Sequence, residues 1–144
     1  MRIVFMGTPD YSVKTLEALI AAKHDIVGVF AQPDKPVGRK HILTAPPVKV
    51  CAENHGIPVY QPNTLKNGEA ADIIKRLSPD IIVVVAYGKI LPQEILDIPK
   101  YGCINGHASL LPRYRGASPI QWCIVCGENE TGVTVMQMDS GMDT

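Results

Sequence analysis

The 144-residue chain has no excess of either charge, no long apolar run and few cysteines. Fourteen basic residues balance fourteen acidic ones, so the molecule as a whole is not a polyanion binder, and any contact with nucleic acid must be local. No apolar stretch reaches the roughly 18 residues of a membrane-spanning helix. The first residues, MRIVFMG, are typical of a strand and not of a signal peptide, and we therefore expect a cytoplasmic protein without membrane contact.

The four cysteines do not indicate a disulfide scaffold or a metal site. Cys123 and Cys126 have CxxC spacing, but no second such pair and no paired histidines lie nearby, and the segment around them is apolar. In a cytosolic protein we expect all four to stay reduced and to pack as small apolar side chains. The sequence therefore predicts no bound metal.

Four common functional motifs are also missing. The turn after the first apolar run reads GTPDYS, which is not GxGxxG, and GxxxxGK[ST] does not occur, so neither the dinucleotide nor the triphosphate fingerprint is present. HExxH and GxSxG are missing as well, which removes the main support for a metalloprotease or a serine hydrolase.

Short apolar runs alternate with helical patterns along the whole chain. The predicted strands are RIVFM, IVGVFA, IPVY, DIIVVVA, GCINGH and GVTVMQM. The predicted helices are SVKTLEALIAAK, PPVKVCAENHG, GEAADIIKRLS, PQEILDI and ASPIQWCIVCG. Strands that are apolar on both faces and alternate with helices predict one α/β domain with a doubly wound, mostly parallel sheet.

Ligands of such sheets bind beyond the carboxyl ends of the strands, so the loops that follow strands are the candidate binding segments. Four loops qualify, with the sequences GTPDYS, AQPDKPVGRKHILTAP, AYGKILP and HASLLPRYRGASP.

Asn105 and His107 are the candidate catalytic pair. They are two positions apart in a predicted strand, so their side chains should leave the same face. An Asn amide donates hydrogen bonds without charge and a His exchanges a proton near neutral pH, which suits a reaction that forms an oxyanion. Asp139 and Asp143 follow the next strand, and spacing alone does not choose between them as a carboxylate for the imidazole; each also suits a turn cap.

These residues lie in motifs that resemble a known family. HASLLPRYRGASPIQW, followed by ETGVTVMQMDSGMDT, is similar to the signature of the formyltransferases that use 10-formyltetrahydrofolate. GTPDYS, AQPDKPVGRK, PPVK, GIPVYQP and VVVAYGKILP resemble the branch of that family that formylates methionyl initiator tRNA in translation initiation. The resemblance runs from Arg2 to Thr144.

The resemblance implies a Rossmann-like catalytic domain and a set of site residues. It implies a catalytic trio of Asn105, His107 and Asp143, and so selects Asp143 over Asp139. The implied donor-binding residues are Ala86, Tyr87, Gly88, Lys89, Ile90, Leu91, Pro92, Ser109, Leu110, Leu111, Pro112, Met138 and Asp139. Contacts with tRNA are expected from Arg39, Lys40, Arg113 and Arg115.

Tyr87 has two possible roles, stacking on the pterin or covering the end of the sheet. Arg113 and Arg115 are surface groups by default, with contact to a tRNA phosphate as the alternative, and the segment with Arg39 and Lys40 is equally typical of a solvated surface loop.

The resemblance also implies an incomplete catalytic domain over residues 1–144, without the family's C-terminal tRNA-binding domain, and we expect this polypeptide alone to be almost inactive. No protein partner and no metal are implied. Three alternatives remain open: a formylfolate hydrolase, a formyltransferase with another amine acceptor, and a module that binds folate without turnover.

Overall fold

The computed structural model describes residues 1–107, except the side chain of His107, together with the backbone of residues 134–139 and 142–143. Its strands are β1 (Arg2–Gly7), β2 (Asp25–Phe30), β3 (Lys35–Val37), β4 (Ile42–Thr44), β5 (Val59–Tyr60), β6 (Ile81–Val85), β7 (Cys103–His107), β8 (Thr134–Asp139) and β9 (Met142–Asp143). Its helices are α1 (Asp10–Ala21), α2 (Pro47–Asn54), α3 (Glu69–Leu77) and α4 (Gln93–Leu96).

The main sheet has the strand order β5-β2-β1-β6-β7-β8-β9. The first five strands in this order pair in parallel, which confirms the predicted doubly wound, mostly parallel α/β fold. β8 pairs with β7, and β9 with β8, in antiparallel fashion. The carboxyl ends of β1, β2, β6 and β7 therefore meet at one edge of the sheet.

The sheet has an apolar core on each face, because alternate residues of the buried strands point to opposite sides. One core lies against α1 and α2 and contains Ile3, Phe5, Leu16, Leu19, Val29, Val48, Ala52, Ile81, Val83 and Ile104. The other lies against α3 and α4 and contains Val4, Met6, Phe30, Ala71, Ile74, Ile82, Val84, Tyr87, Leu91, Ile95 and Cys103. Burial on both faces explains why the sequences of these strands lack alternation with polar residues.

The segment after β2 differs from its prediction. The sequence predicts one long loop, whereas residues 35–44 form a hairpin in which β3 pairs with β4, with Lys35 opposite Thr44 and Val37 opposite Ile42. A turn joins the strands, and the amide of His41 donates to the carbonyl of Gly38 at 3.2 Å. We call this hairpin, residues 35–44, the arm. The sequence does not indicate this hairpin, because its Pro, Gly and charged residues are typical of loops.

The helix predicted over residues 117–127 lies outside the described residues, and so do Cys123 and Cys126. Cys51 and Cys103 are buried, as expected for small apolar side chains. Among the described helices, none combines the length and the apolar character needed to cross a membrane.

Candidate active site

The parallel register brings the predicted catalytic strand beside a long loop. Gly7 at the end of β1 lies opposite Val85 at the end of β6, and Val84 lies opposite Asn105 in β7. Asn105 is therefore level with the last residues of β6. The segment 86–92, which we call the donor loop, starts immediately beyond that level.

Asn105 lies on the same face of the sheet as the donor loop. Its neighbour Ile104 belongs to the core against α1 and α2, whereas Cys103 belongs to the core that also contains Tyr87 and Leu91. Because strand residues alternate between faces, Asn105 shares the face of Cys103. Asn105 is half-buried at this edge. His107 is the last residue of β7, and the structure describes only its backbone.

The donor loop has an unusual backbone. Ala86 has φ 52° and Gly88 has φ 99°, both in the left-handed region, which an Ala side chain adopts only at an energetic cost. Tyr87, between them, is 1% exposed; further along the loop Leu91 is also buried, whereas Ile90 is 68% exposed. The loop is thus anchored in the core at two positions and open to solvent between them.

The burial of Tyr87 distinguishes between the two roles predicted for it, stacking on the pterin and covering the end of the sheet. Its ring packs in the apolar core, and burial raises the pKa of its hydroxyl to about 12. Among the described residues the hydroxyl has no hydrogen-bond partner. The ring therefore covers the end of the sheet in this structure and presents no free face on which a pterin could stack.

Thr8 and Gln32 attach the donor loop to the loops after β1 and β2. The Thr8 hydroxyl donates to the carbonyl of Tyr87 at 2.9 Å, and the Gln32 amide donates to the same carbonyl at 3.0 Å. The Lys89 ammonium in turn donates to the Gln32 side-chain oxygen at 2.8 Å. Thr8 lies in the motif GTPDYS and Gln32 in AQPD, but the sequence alone indicates no role for either residue. The available signal was a polar side chain just after each of two buried strands.

Thr8 and Gln32 also line a cleft at the same edge of the sheet. The cleft encloses about 310 Å³ between the sheet edge, the arm and the start of α2. Its walls are mostly apolar and include Pro9, Pro46 and Val37. A cleft of this size with few polar groups suits part of a substrate.

The base of the arm is held by a polar cluster. The Asp34 carboxylate accepts from the Gln61 amide at 2.6 Å and from the Lys49 ammonium at 3.2 Å. The hydrogen bond from Gln61 and the charge of Lys49 lower the pKa of Asp34. Gln61 also donates to the carbonyl of Gln32 at 3.1 Å, so the arm and the donor loop are joined through the residues next to β2.

The remainder of the arm is exposed. Arg39 and Lys40 occupy its turn and are exposed, which fits both a contact with a large ligand and a solvated surface loop. Ile42 and Leu43 are 61% and 66% exposed, which is unusual for large apolar side chains in a small domain.

The two candidate carboxylates lie in β8 and β9. The sequence predicts Asp139 and Asp143 in a loop that follows a strand of the same sheet; Asp139 is the last residue of β8 and Asp143 belongs to β9, where it pairs with Met138, whereas Thr134 pairs with His107. At about 3.3 Å per residue, the backbone of Asp143 is displaced by roughly 13 Å along the strand direction from that of His107. The reason is the antiparallel course of β8, which an apolar strand sequence does not reveal. Asn105 and His107 are brought together by β7, and the backbone register does not bring Asp143 to them.

Some predicted site residues lie outside the described part of the chain. These are Ser109, Leu110, Leu111, Pro112, Arg113 and Arg115. Within the described part, no group of three or more His, Cys, Asp or Glu residues has the geometry to hold a metal ion.

The fold and the site define a class of protein. The family model described as formyl transferase matches residues 1–144, and the chain belongs to this family. Among similar curated proteins are the methionyl-tRNA formyltransferases of Geobacter metallireducens, 58% identical over the whole chain, and of Citrifermentans bemidjiense, 60% identical over the whole chain. The chain covers 46% and 45% of these two proteins, and so spans about half the length of the curated relatives it matches.

Solved structures of related enzymes have the same fold. A phosphoribosylglycinamide formyltransferase from Bacillus halodurans has a TM-score of 0.66 at 22% identity, with 100% of this chain and 75% of that chain covered. A formyltetrahydrofolate deformylase from Pseudomonas putida has a TM-score of 0.53 at 18% identity, with 85% of this chain and 43% of that chain covered. At such low identity the likeness extends to the fold alone.

Proposed function

We propose that the protein transfers a formyl group from 10-formyltetrahydrofolate to the α-amino group of methionyl initiator tRNA. The observation that carries the proposal is the identity of 57% to 60% with proteins named methionyl-tRNA formyltransferase along nearly the entire chain. The position of Asn105 beside the donor loop supports it, because a hydrogen-bond donor and a partly exposed loop then share one edge of the sheet. The reaction belongs to translation initiation, and we expect it to take place in the cytoplasm.

Asn105 and His107 would act on the tetrahedral intermediate. The amine attacks the formyl carbon and forms the new C–N bond, while the carbonyl oxygen becomes an oxyanion. The Asn105 amide and a protonated His107 stabilise this oxyanion, a contribution of about 3 to 4 kcal/mol for one such donor. The bond to N10 of the folate then breaks, N10 takes up a proton and the attacking amine loses one.

Asp143 enters the proposal through the family resemblance alone. A carboxylate near the imidazole favours its protonated form and can relay the proton of the amine through water. The register of β8 and β9 argues against this role, since it aligns Asp143 with Met138, away from the end of β7 that carries His107. The variant of Asp143 described in the Discussion decides the matter.

The arm would contact the tRNA, and the donor loop the folate. Arg39 and Lys40 project on an exposed turn, where cations can meet phosphates of the acceptor end. Gly88, Lys89 and Ile90 form the open part of the donor loop, and its backbone would hold the pterin. Arg113 and Arg115 are proposed as further tRNA contacts, and Ser109 to Pro112 with Met138 and Asp139 as further donor contacts, from the resemblance.

The deciding experiment mixes the full-length protein with 10-formyltetrahydrofolate and methionyl initiator tRNA. Formylmethionyl-tRNA as the product supports the proposal. Loss of formylfolate that does not depend on tRNA indicates a hydrolase, and saturable folate binding without any product indicates a binding module. Either of these two outcomes contradicts the proposed transfer. A sugar amine offered in place of tRNA tests the remaining acceptor.

A further inference from the structure

The donor loop needs an external anchor because its own backbone is unfavourable. Two of its first three residues, Ala86 and Gly88, have positive φ angles, and the Ala at the first of them has no glycine-like freedom. A short segment with such angles keeps a single conformation only where surrounding groups hold it.

The anchor converges on one carbonyl. The hydroxyl of Thr8 and the side-chain amide of Gln32 both donate to the carbonyl oxygen of Tyr87, at 2.9 and 3.0 Å. Both lone pairs of that oxygen are then used, and the orientation of the peptide between Tyr87 and Gly88 is set from outside the loop. The backbone amide of Gln32 also lies 3.4 Å from the Thr8 hydroxyl oxygen, so the two anchoring residues are themselves linked.

Gln32 holds the loop on both sides of Gly88. Its amide binds Tyr87 before this glycine, and its oxygen accepts from the Lys89 ammonium after it. The fit is close, because a Cβ atom placed on Gly88 would lie 2.6 Å from the Gln32 side-chain nitrogen. The side chain of Gln32 therefore binds the Tyr87 carbonyl, lies against Gly88 without room for a side chain there, and binds the Lys89 ammonium.

We propose that Thr8 and Gln32 are positioning residues that hold residues 86–92 in the conformation that binds the formyl donor. The inference rests on the proposed function, which gives this loop its ligand. Neither residue touches the reacting atoms in this scheme. They act through the Tyr87 carbonyl, and their removal should weaken donor binding without altering the groups on β7.

The experiment uses the full-length protein and measures the dissociation constant of 10-formyltetrahydrofolate, then KM and kcat. Gln32→Leu keeps the size of the side chain and removes its donor and its acceptor. Two lost hydrogen bonds should raise the donor dissociation constant and its KM about tenfold or more. The KM for methionyl-tRNA should change less than about twofold, and kcat at saturating donor should stay within about threefold.

Thr8 supplies a conservative pair of variants. Thr8→Val is isosteric and loses the hydroxyl, so donor affinity should fall about fivefold. Thr8→Ser keeps the hydroxyl and should restore donor affinity to within about twofold of the unchanged protein. A role in packing alone would give the reverse order, because Val preserves the shape and Ser does not.

Gln61→Leu is the matched control. Gln61 also makes two side-chain hydrogen bonds, to the carbonyl of Gln32 and to Asp34, but none to the donor loop. This variant should lower the melting temperature about as much as Gln32→Leu while leaving donor affinity unchanged.

The outcomes separate the inference from the proposed function. If the unchanged protein binds no formylfolate, both fail. If it binds the donor and Gln32→Leu and Thr8→Val bind it equally well, the positioning role is wrong while the proposed function stands. An equal loss in Gln61→Leu also overturns the inference, because it would show a general effect of destabilisation.

Discussion

The donor loop and the arm both follow strands at the same edge of the sheet, but they are held in opposite ways. The donor loop has Tyr87 and Leu91 in the core and two side chains bound to its backbone. Within the described part of the chain, the arm is held at its base through Asp34, and it exposes Ile42, Leu43 and its two cations. Under the proposed function, this difference would divide the binding between a fixed surface for the small donor and an exposed surface for the macromolecule.

The largest effect is expected from variants that remove the proposed catalytic side chains and leave the donor loop and the arm unchanged. His107→Ala should reduce transfer by at least about a hundredfold, because the variant loses the oxyanion donor and the proton carrier. Asn105→Ala should act in the same direction. The KM values for donor and tRNA should remain nearly unchanged in both variants. Activity within a few-fold of the unchanged protein would remove the two residues from the mechanism.

The second test concerns the carboxylate. The resemblance predicts that Asp143→Ala loses about a hundredfold in kcat, while Asp139→Ala retains turnover at saturating donor. The backbone register predicts little effect of Asp143→Ala, because Asp143 lies beside Met138. Measuring kcat of both variants in the full-length protein therefore distinguishes the two expectations, and an essential Asp139 would contradict the choice made from resemblance.

The third test compares two glycines with positive φ. Gly88→Ala places a methyl group 2.6 Å from the Gln32 nitrogen, so it should raise the donor KM roughly tenfold or more. Gly56 has φ 70° and no atom within 4 Å of an added Cβ. Gly56→Ala should cost about 1 kcal/mol of stability and leave the donor KM unchanged. Equal donor KM values in the two variants would show that the donor loop is not a rigid surface.

The fourth test removes the charge of the arm. Replacing Arg39 and Lys40 together with Ala should raise the KM for tRNA about five- to tenfold and reduce its dependence on salt, while the donor KM stays constant. Lys75 and Arg76 are a matched control, since they are an adjacent exposed pair on α3. If both double variants behave alike, the arm has no special contact with tRNA.

The smallest effect is expected at the base of the arm. The pKa of Asp34 is lowered in the folded protein. The stability that the Asp34 carboxylate contributes is therefore present above its unfolded pKa of about 3.9 and is lost as the pH falls through the folded pKa. The protection factors of the amides in residues 35–44, which correct for the pH dependence of intrinsic exchange, should therefore be constant near neutral pH and decrease below about pH 4. Asp34→Asn should raise the tRNA KM only about two- to threefold, because Gln61 still has an acceptor.

Asp72→Asn, which changes an exposed acid on α3, is the control for this last variant. It should leave both the exchange of the arm and the tRNA KM unchanged. An arm whose exchange does not respond to acid or to Asp34→Asn would show that the polar cluster does not anchor it.

The sequence alone determined the α/β class, the parallel strands and the candidate pair on β7. These features depend on local patterns: continuous apolar runs for strands buried on both faces, and a spacing of two for side chains on one face. Asn105 and His107 were found for that reason. The motif that carries them was also long enough to indicate the family.

Only the tertiary structure decided which groups hold the donor loop and which way β8 runs. Thr8 and Gln32 lie 79 and 55 positions from Tyr87 in the chain, and no local pattern links residues at such separations. The direction of β8 has no sequence signature of its own, because an apolar strand can pair in either sense. The hairpin of the arm was also not predicted, because its residues are typical of loops. Asp34 anchors it through distant partners, Lys49 on α2 and Gln61 after β5. Contacts between distant parts of the chain form only when the sheet brings them together, and the polar support of this site consists of such contacts.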